Sequence, residues 1–183
     1  MTEAQSLMPD VAHLFGLTAD AQSVREAARR KGGFADVLVF RLGGERFAVG
    51  LAAIEEVVEL PALQPLPHMP PSMLGVCELR SALLPVYTPG PVLGVVGAGA
   101  RAAIVARPSA AGRRVALAID EAEGVIAFDF DGLLAPAAAD GVVLGVSTRG
   151  GKLLAVVDAE ILVTACTNGS ANPSTADRVL EKT

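Results

Sequence analysis

The chain has 183 residues, of which 51% are apolar and 19% charged, and a formal net charge of −5. That composition supplies a sizeable core and carries too much apolar material for a disordered chain. With a pI near 5.0, no Trp, one Tyr and no basic stripe interleaved with aromatics, it argues against nucleic acid as a partner. The mean hydropathy of +0.47 raises the question of membrane insertion. The longest candidate, Ser81–Ala100, is uncharged but is interrupted by Pro85, Pro89, Pro91 and repeated glycines, which break a spanning helix. The N-terminus offers Glu3 and Asp10 where a secretory leader has basic residues, so a cytoplasmic location without membrane insertion is the expectation.

At the start of the chain, Val11, Leu14 and Phe15 share one face of a short helix that Gly16 stops. A second helix is predicted from Thr18 or Asp20 to Lys31, with Arg29, Arg30 and Lys31 in the last turn and Gly32-Gly33 ending it. Residues 1–34 thus read as a helical extension. From Val37 the pattern changes to short strands. Val37–Leu42, Gly43-Gly44 and Arg46–Leu51 make a hairpin signal. Further strands are predicted at Met73–Cys77, Leu83–Tyr87, Ala102–Ala106, Arg114–Ile119, Val142–Val146 and Leu153–Val157. Thr167–Thr175 has no apolar period, so residues 167–183 read as a flexible tail with at most a weak helix at Ala176–Lys182.

The chain also repeats itself. Arg46–Leu60 aligns without gaps on Arg114–Phe128 at an offset of 68, pairing Phe47 with Val115, Val49 with Leu117, Leu51 with Ile119 and Val57 with Val125. At an offset of 70, Leu74-Gly75-Val76 aligns on Leu144-Gly145-Val146, and Leu83–Val86 on Leu153–Val156. Two copies of one unit follow, about 36–96 and about 101–165, within a domain spanning 35–166. A unit that small is marginal alone, so the expectation is two small β-barrels related by pseudo-symmetry and sharing an interface.

Chemistry is hard to find. Cys77 and Cys166 are far apart, as are His13 and His68, so no pair has metal-ligand spacing, and each cysteine reads as a small buried apolar residue. The carboxylates Asp120, Glu121, Glu123, Asp129 and Asp131 match no calcium loop and read as a solvated acidic turn. Gly97-Ala98-Gly99-Ala100-Arg101 lacks the third glycine of a dinucleotide loop and reads as the linker between copies. No catalytic residue, cofactor or metal is expected. Apolar surface on small open barrels favours an adaptor, the rival being a small-molecule sensor or hydrolase with a concave apolar pocket, converging polar groups and a perturbed titratable residue.

The stretch from Pro65 through Pro-His-Met-Pro-Pro-Ser-Met-Leu-Gly75-Val76-Cys77-Glu78-Leu79-Arg80-Ser81 to Pro85-Val86 resembles the signature of the CheW family of bacterial chemotaxis coupling proteins. That pattern is a proline-rich loop, Gly-Val, Asn-Leu-Arg-Gly, and a strand ending Pro-Val-hydrophobic-Asp. Gly145-Val146 and Gly151–Leu162 look like the family's closing strand and helix. The resemblance implies two pseudo-symmetric five-stranded SH3-like β-barrels with a core between them, short helical arms and no catalysis. It implies two partners, the cytoplasmic tip of a methyl-accepting chemotaxis receptor and the regulatory domain of a CheA-type histidine kinase. Carried onto this chain, the receptor-binding positions are Ile54, Gly75, Glu78 and Arg80.

Three departures qualify that implication. Glu78 and Ser81 stand where the family has Asn and Gly, and Thr88 where it has Asp. Glu78 is placed to neutralise Arg80, and Thr88–Gly99 reads as a Pro/Gly stretch replacing a short helix. The second reading is a diverged scaffold of the same fold, in another motility or regulatory pathway, that binds only one of these partners.

Overall fold

A computed structural model describes residues 36–107, 114–128, 133–134 and 141–169. The expected N-terminal helices, His13, Asp129, Asp131 and all but the first residues of the expected tail lie outside them. The strands are β1 (Asp36–Leu42), β2 (Glu45–Gly50), β3 (Ile54–Glu59), β4 (Met73–Leu79), β5 (Ala82–Tyr87), β6 (Ala102–Ala106), β7 (Val115–Ile119), β8 (Glu121–Ala127), β9 (Val143–Arg149) and β10 (Lys152–Val157). Two short helices follow β5 and β10, α1 (Gly90–Leu93) and α2 (Ala159–Thr167).

The strands form two five-stranded sheets, in the orders β8-β1-β2-β10-β9 and β3-β6-β7-β5-β4. The mainly β, pseudo-symmetric architecture expected from the repeat is therefore present, with one correction. A sheet is not a copy. The first sheet takes its β1–β2 hairpin from copy one and β8, β9 and β10 from copy two; the second takes β6–β7 from copy two and the rest from copy one. The cause lies in the connections. Only the single turn Leu51–Ala53 separates β2 from β3, and only Asp120 separates β7 from β8. Each third strand therefore continues out of its hairpin's sheet and into the other one.

Strand alternation then builds three cores. In β1, Val37 and Val39 face a cluster with Ala48, Leu144, Leu154 and Val156, while Leu38, Phe40 and Leu42 face the core between the sheets. The second sheet does the same: Ala103, Val105, Ala116 and Ala118 turn to its own cluster with Leu84 and Val86, and Ile104, Leu117 and Ile119 to the shared core. Central strands buried on both faces explain the high apolar content. Phe40 and Phe47 face each other across β1 and β2 with centroids 5.6 Å apart, an aromatic pair anchoring the shared core.

The pseudo-dyad holds in fine detail. Parallel pairing joins β2 to β10 and β5 to β7. The segment after β3 bridges β4 through Gln64 and Val76, and its copy-two equivalent bridges β9 through Leu134 and Val146. Glycine is required at both crossings. A Cβ on Gly75 would lie 2.6 Å from the Gln64 carbonyl oxygen, and one on Gly145 2.6 Å from both the Leu134 oxygen and the Leu133 side chain. Asp158 ends β10 and caps α2 by accepting the Ile161 N–H at 3.0 Å. Its copy-one equivalent Thr88 makes a weaker version, accepting the Gly90 N–H at 3.3 Å. The Pro/Gly stretch does not abolish the helix there: α1 forms, because proline is tolerated in a first turn, and Gly94 ends it at φ +70°.

Both cysteines are buried and free. Burial pushes the Cys166 thiol up to about 12, and the Cys77 thiol is raised for the same reason. Cys166 also ties α2 to copy one, its carbonyl accepting the Ser72 hydroxyl at 2.7 Å.

This packing has three measurable consequences. Gly75→Ala and Gly145→Ala should each cost about 2 kcal/mol and lower Tm by roughly 4–8 °C in thermal denaturation followed by circular dichroism. In the native protein at pH 8 neither thiol should react with a maleimide, and both should react in denaturant, as read by mass spectrometry. Below pH 9 the Cys166 thiol is protonated in both states; above it only the unfolded state readily releases the proton. Stability should therefore fall as pH rises from 9 toward 12.

Candidate interaction site

The candidate site is built on edge strand β3 and the turn joining β4 to β5. That turn places Arg80 and Ser81 at φ 52° and 64°, left-handed backbone that L-residues adopt at a cost. Copy two makes the equivalent turn with Gly150 and Gly151, at φ 59° and 71°. The turn geometry is thus a property of the fold, and copy one meets it with two residues ill suited to it.

Arg80 does not pair with Glu78, as the sequence suggested. Its guanidinium reaches across to β3, with Nη2 donating to Glu56 Oε2 at 2.7 Å. The side chain remains 74% exposed, so the pair contributes little to stability, about 0–1 kcal/mol. Arg114 joins the same cluster, donating to both carboxylate oxygens of Glu55 at 2.6 and 2.8 Å and lying 3.8 Å from Glu56 Oε1. The Arg80–Glu56 contact and the Gln64–Val76 bridge both link the β4–β5 hairpin to β3 and its continuation. They draw together the two edges of the second sheet.

The four sequence-derived positions fall in different settings. Arg80 and Glu78 are both on the surface. Glu78 stands opposite Leu83 in the hairpin register, and Leu83 is 74% exposed. Gly75 is buried beneath the Gln64 backbone and shapes the loop. Ile54 is 5% exposed and belongs to the core between the sheets. It offers no contact surface and can act only through the placement of β3.

The residue after Glu56 turns to the other face. Val57 there opens onto a groove of about 380 Å³ lined by Val57, Val58, Glu59, Arg101, Asp120 and Glu121, with Ala102 and Ala122 completing it. It runs where β3 of one sheet passes the start of β8 in the other. Sequence reasoning missed Glu56 and Asp120. Asp120 is not part of a solvated turn: it is 8% exposed and accepts backbone N–H groups from Gly43 at 2.8 Å, Ala98 at 3.0 Å and Gly99 at 3.2 Å. Glu121 and Glu123 belong to β8, and Glu123 binds Arg46 at 2.6 Å. The repeat alignment paired Glu121–Ala127 with Ala53–Glu59, but neither segment has the alternation that marks a strand.

Between the sheets, a cavity of about 10 Å³ is lined by Phe40, Val49, Ile54, Ile104, Leu117 and other apolar side chains. It has room for one water at most and no polar group to hold one. Among the described residues no cluster of His, Cys, Asp or Glu could hold a metal ion, and no helix is long and apolar enough to cross a membrane.

Two interlocked five-stranded β-sheets beside an open groove define a mainly β protein of the double-sheet class. Residues 36–166 match the family model described as CheW-like domain, and the chain belongs to that family. Over 51 residues it is 37% identical to the chemotaxis protein CheW of Rhizobium meliloti (strain 1021) and 35% identical to the probable chemotaxis protein CheW of Rhizobium etli. Each match covers 28% of this chain and 33% of the relative, so the matched stretch spans a third of their length. The fold is similar to that of the scaffolding protein TtCheW from Thermoanaerobacter tengcongensis, with TM-score 0.61, 20% identity, and coverage of 70% of this chain and 86% of that one.

Replacing Arg80-Ser81 by Gly-Gly should remove two strained backbone positions. Relief of about 1–2 kcal/mol at each, less the chain entropy of glycine, leaves a gain of about 1 kcal/mol for the pair. Chemical denaturation should show a higher midpoint with an unchanged slope.

Proposed function

We propose that this protein is a non-enzymatic cytoplasmic adaptor that couples a methyl-accepting chemotaxis receptor to a CheA-type histidine kinase. Membership of the CheW-like family and the relatives' names support that direction. The observation that carries the receptor side is the Arg80-Ser81 turn. Copy one keeps an exposed arginine at a strained position where copy two makes the same turn with two glycines. Strain retained where the fold offers an unstrained solution is the mark of a functional position.

In this reading Arg80 and Glu78 touch the receptor tip, while Gly75 and Ile54 act from beneath by fixing β4 and β3. A receptor tip is a helical hairpin, and an amphipathic helix fits an open groove through apolar anchors with a polar rim. The groove lies on the other face of β3 from the Arg80–Glu56 pair and receives a separate part of the tip: Val57 supplies its exposed apolar anchor, and Glu59, Arg101 and Glu121 its rim. Binding of receptor and kinase by one rigid body shifts kinase conformational populations without chemistry. The second reading, a scaffold that binds only one partner in another pathway, draws on Glu78, Ser81 and Thr88, which depart from the family signature.

A capture assay with a receptor cytoplasmic fragment and a kinase regulatory domain tests this. Wild type should capture both, and Arg80→Glu should lose about tenfold in receptor affinity, equivalent to 1.4 kcal/mol, while keeping the kinase domain. Capture of neither overturns the adaptor role, and capture of one alone selects the second reading. Equal receptor binding by Arg80→Glu removes Arg80 from the site.

A further inference from the structure

The fold passes from one sheet to the other at two pseudo-equivalent points. At the first, Leu51–Ala53 makes a turn of apolar residues, and nothing there resembles a buried acid. At the second, Asp120 alone fills the gap between β7 and β8. Its alignment partner in copy one is Ala52. A carboxylate is therefore not what the crossover requires.

What Asp120 does instead is gather three stretches of backbone. Its Oδ2 accepts from Gly43 in the β1–β2 turn of copy one and from Ala98 in the linker, and its Oδ1 accepts from Gly99. Its own N–H donates to the Arg41 carbonyl at 3.0 Å. Gly43 is itself pressed on the linker, where a Cβ would lie 2.5 Å from the Val96 oxygen. Among the described residues, the hydrogen bonds made by linker residues 96–100 are the two to Asp120. The same carboxylate-bearing residue lines the groove beside Glu59 and Arg101.

We infer that Asp120 is a positioning residue for the groove: by clamping the Gly43 turn, the Ala98-Gly99 linker and the β7–β8 crossover together, it holds the groove in its binding shape before any partner arrives. The inference rests on the receptor reading for the identity of the partner, but the clamp is a property of the free protein. Preorganisation of this kind raises affinity by removing an ordering cost from the binding step. Charged acceptors of backbone N–H groups make the strong class of hydrogen bond, so one side chain suffices.

The test compares wild type with Asp120→Asn, which keeps the shape but replaces one acceptor oxygen by a donor. Asp158→Ala, which removes the α2 cap, serves as a control for general loss of stability. Amide hydrogen exchange of the full chain is read alongside affinity for the receptor fragment and for the kinase domain. Asp120→Asn should lose protection at Gly43, Ala98 and Gly99 by tenfold or more, with the β1, β2 and β10 amides unchanged. Its receptor affinity should fall about tenfold and its kinase affinity stay within twofold, whereas Asp158→Ala should leave receptor affinity unchanged. Should Asp120→Asn fail to fold, Asp120→Ser, which leaves one acceptor oxygen in place of two, replaces it with the same expected local loss at Gly43, Ala98 and Gly99. Unchanged exchange at these amides, or a receptor loss no larger than that of Asp158→Ala, overturns the inference. If wild type binds no receptor fragment, the receptor reading fails by itself, and the exchange pattern still decides whether Asp120 is the clamp.

Discussion

The shared core between the sheets depends on two hairpins being completed by strands from the opposite copy. β1–β2 lies inside a sheet whose remaining strands all come from copy two, and β6–β7 inside one whose remaining strands all come from copy one. Neither copy can satisfy its own backbone donors and acceptors, because each hairpin's outer edges pair with the other copy. Phe40, Phe47, Ile104, Leu117 and Ile119 then meet in one apolar layer. The layer joins sheets that each draw strands from both halves of the chain. A body with two pseudo-equivalent sides results.

Much of this was legible in the sequence, for identifiable reasons. The Gly43-Gly44 hairpin, β6 at Ala102–Ala106 and the repeat itself were written in turn chemistry and apolar period. The exchange of hairpins was not, because a repeat reports which segments are alike and never which of them pair. β3 and β8 escaped the strand search because their acidic residues, Glu55, Glu56 and Glu59 in one and Glu121 and Glu123 in the other, sit on edge strands where one side faces water. Asp120 escaped because its role is set by Gly43 and by Ala98-Gly99, distant in sequence. The Arg80 partner escaped in the same way: Glu78 is near in sequence, but Glu56 is near in space.

Comparison of the two copies separates what the fold demands from what this protein has added. Gly75 and Gly145 answer the same close approach of backbone, so both belong to the fold. Thr88 and Asp158 both receive a helix N–H, so the departure at Thr88 keeps a weaker form of one structural duty. Arg80 against Gly150, and Asp120 against Ala52, are pairs in which only one copy carries a charge. Those asymmetries fall on the β4–β5 turn and the groove.

The interlocking of the copies also sets the order of events on the ribosome. β2 lies beside β10 and β1 beside β8, so the first strands synthesised wait for the last before their sheet is whole. Pairings across that much chain are slow to form. A truncated polypeptide ending in the linker would hold a hairpin and three strands with open edges on both, and such edges are templates for aggregation. For this chain, half a translation product is not half a protein.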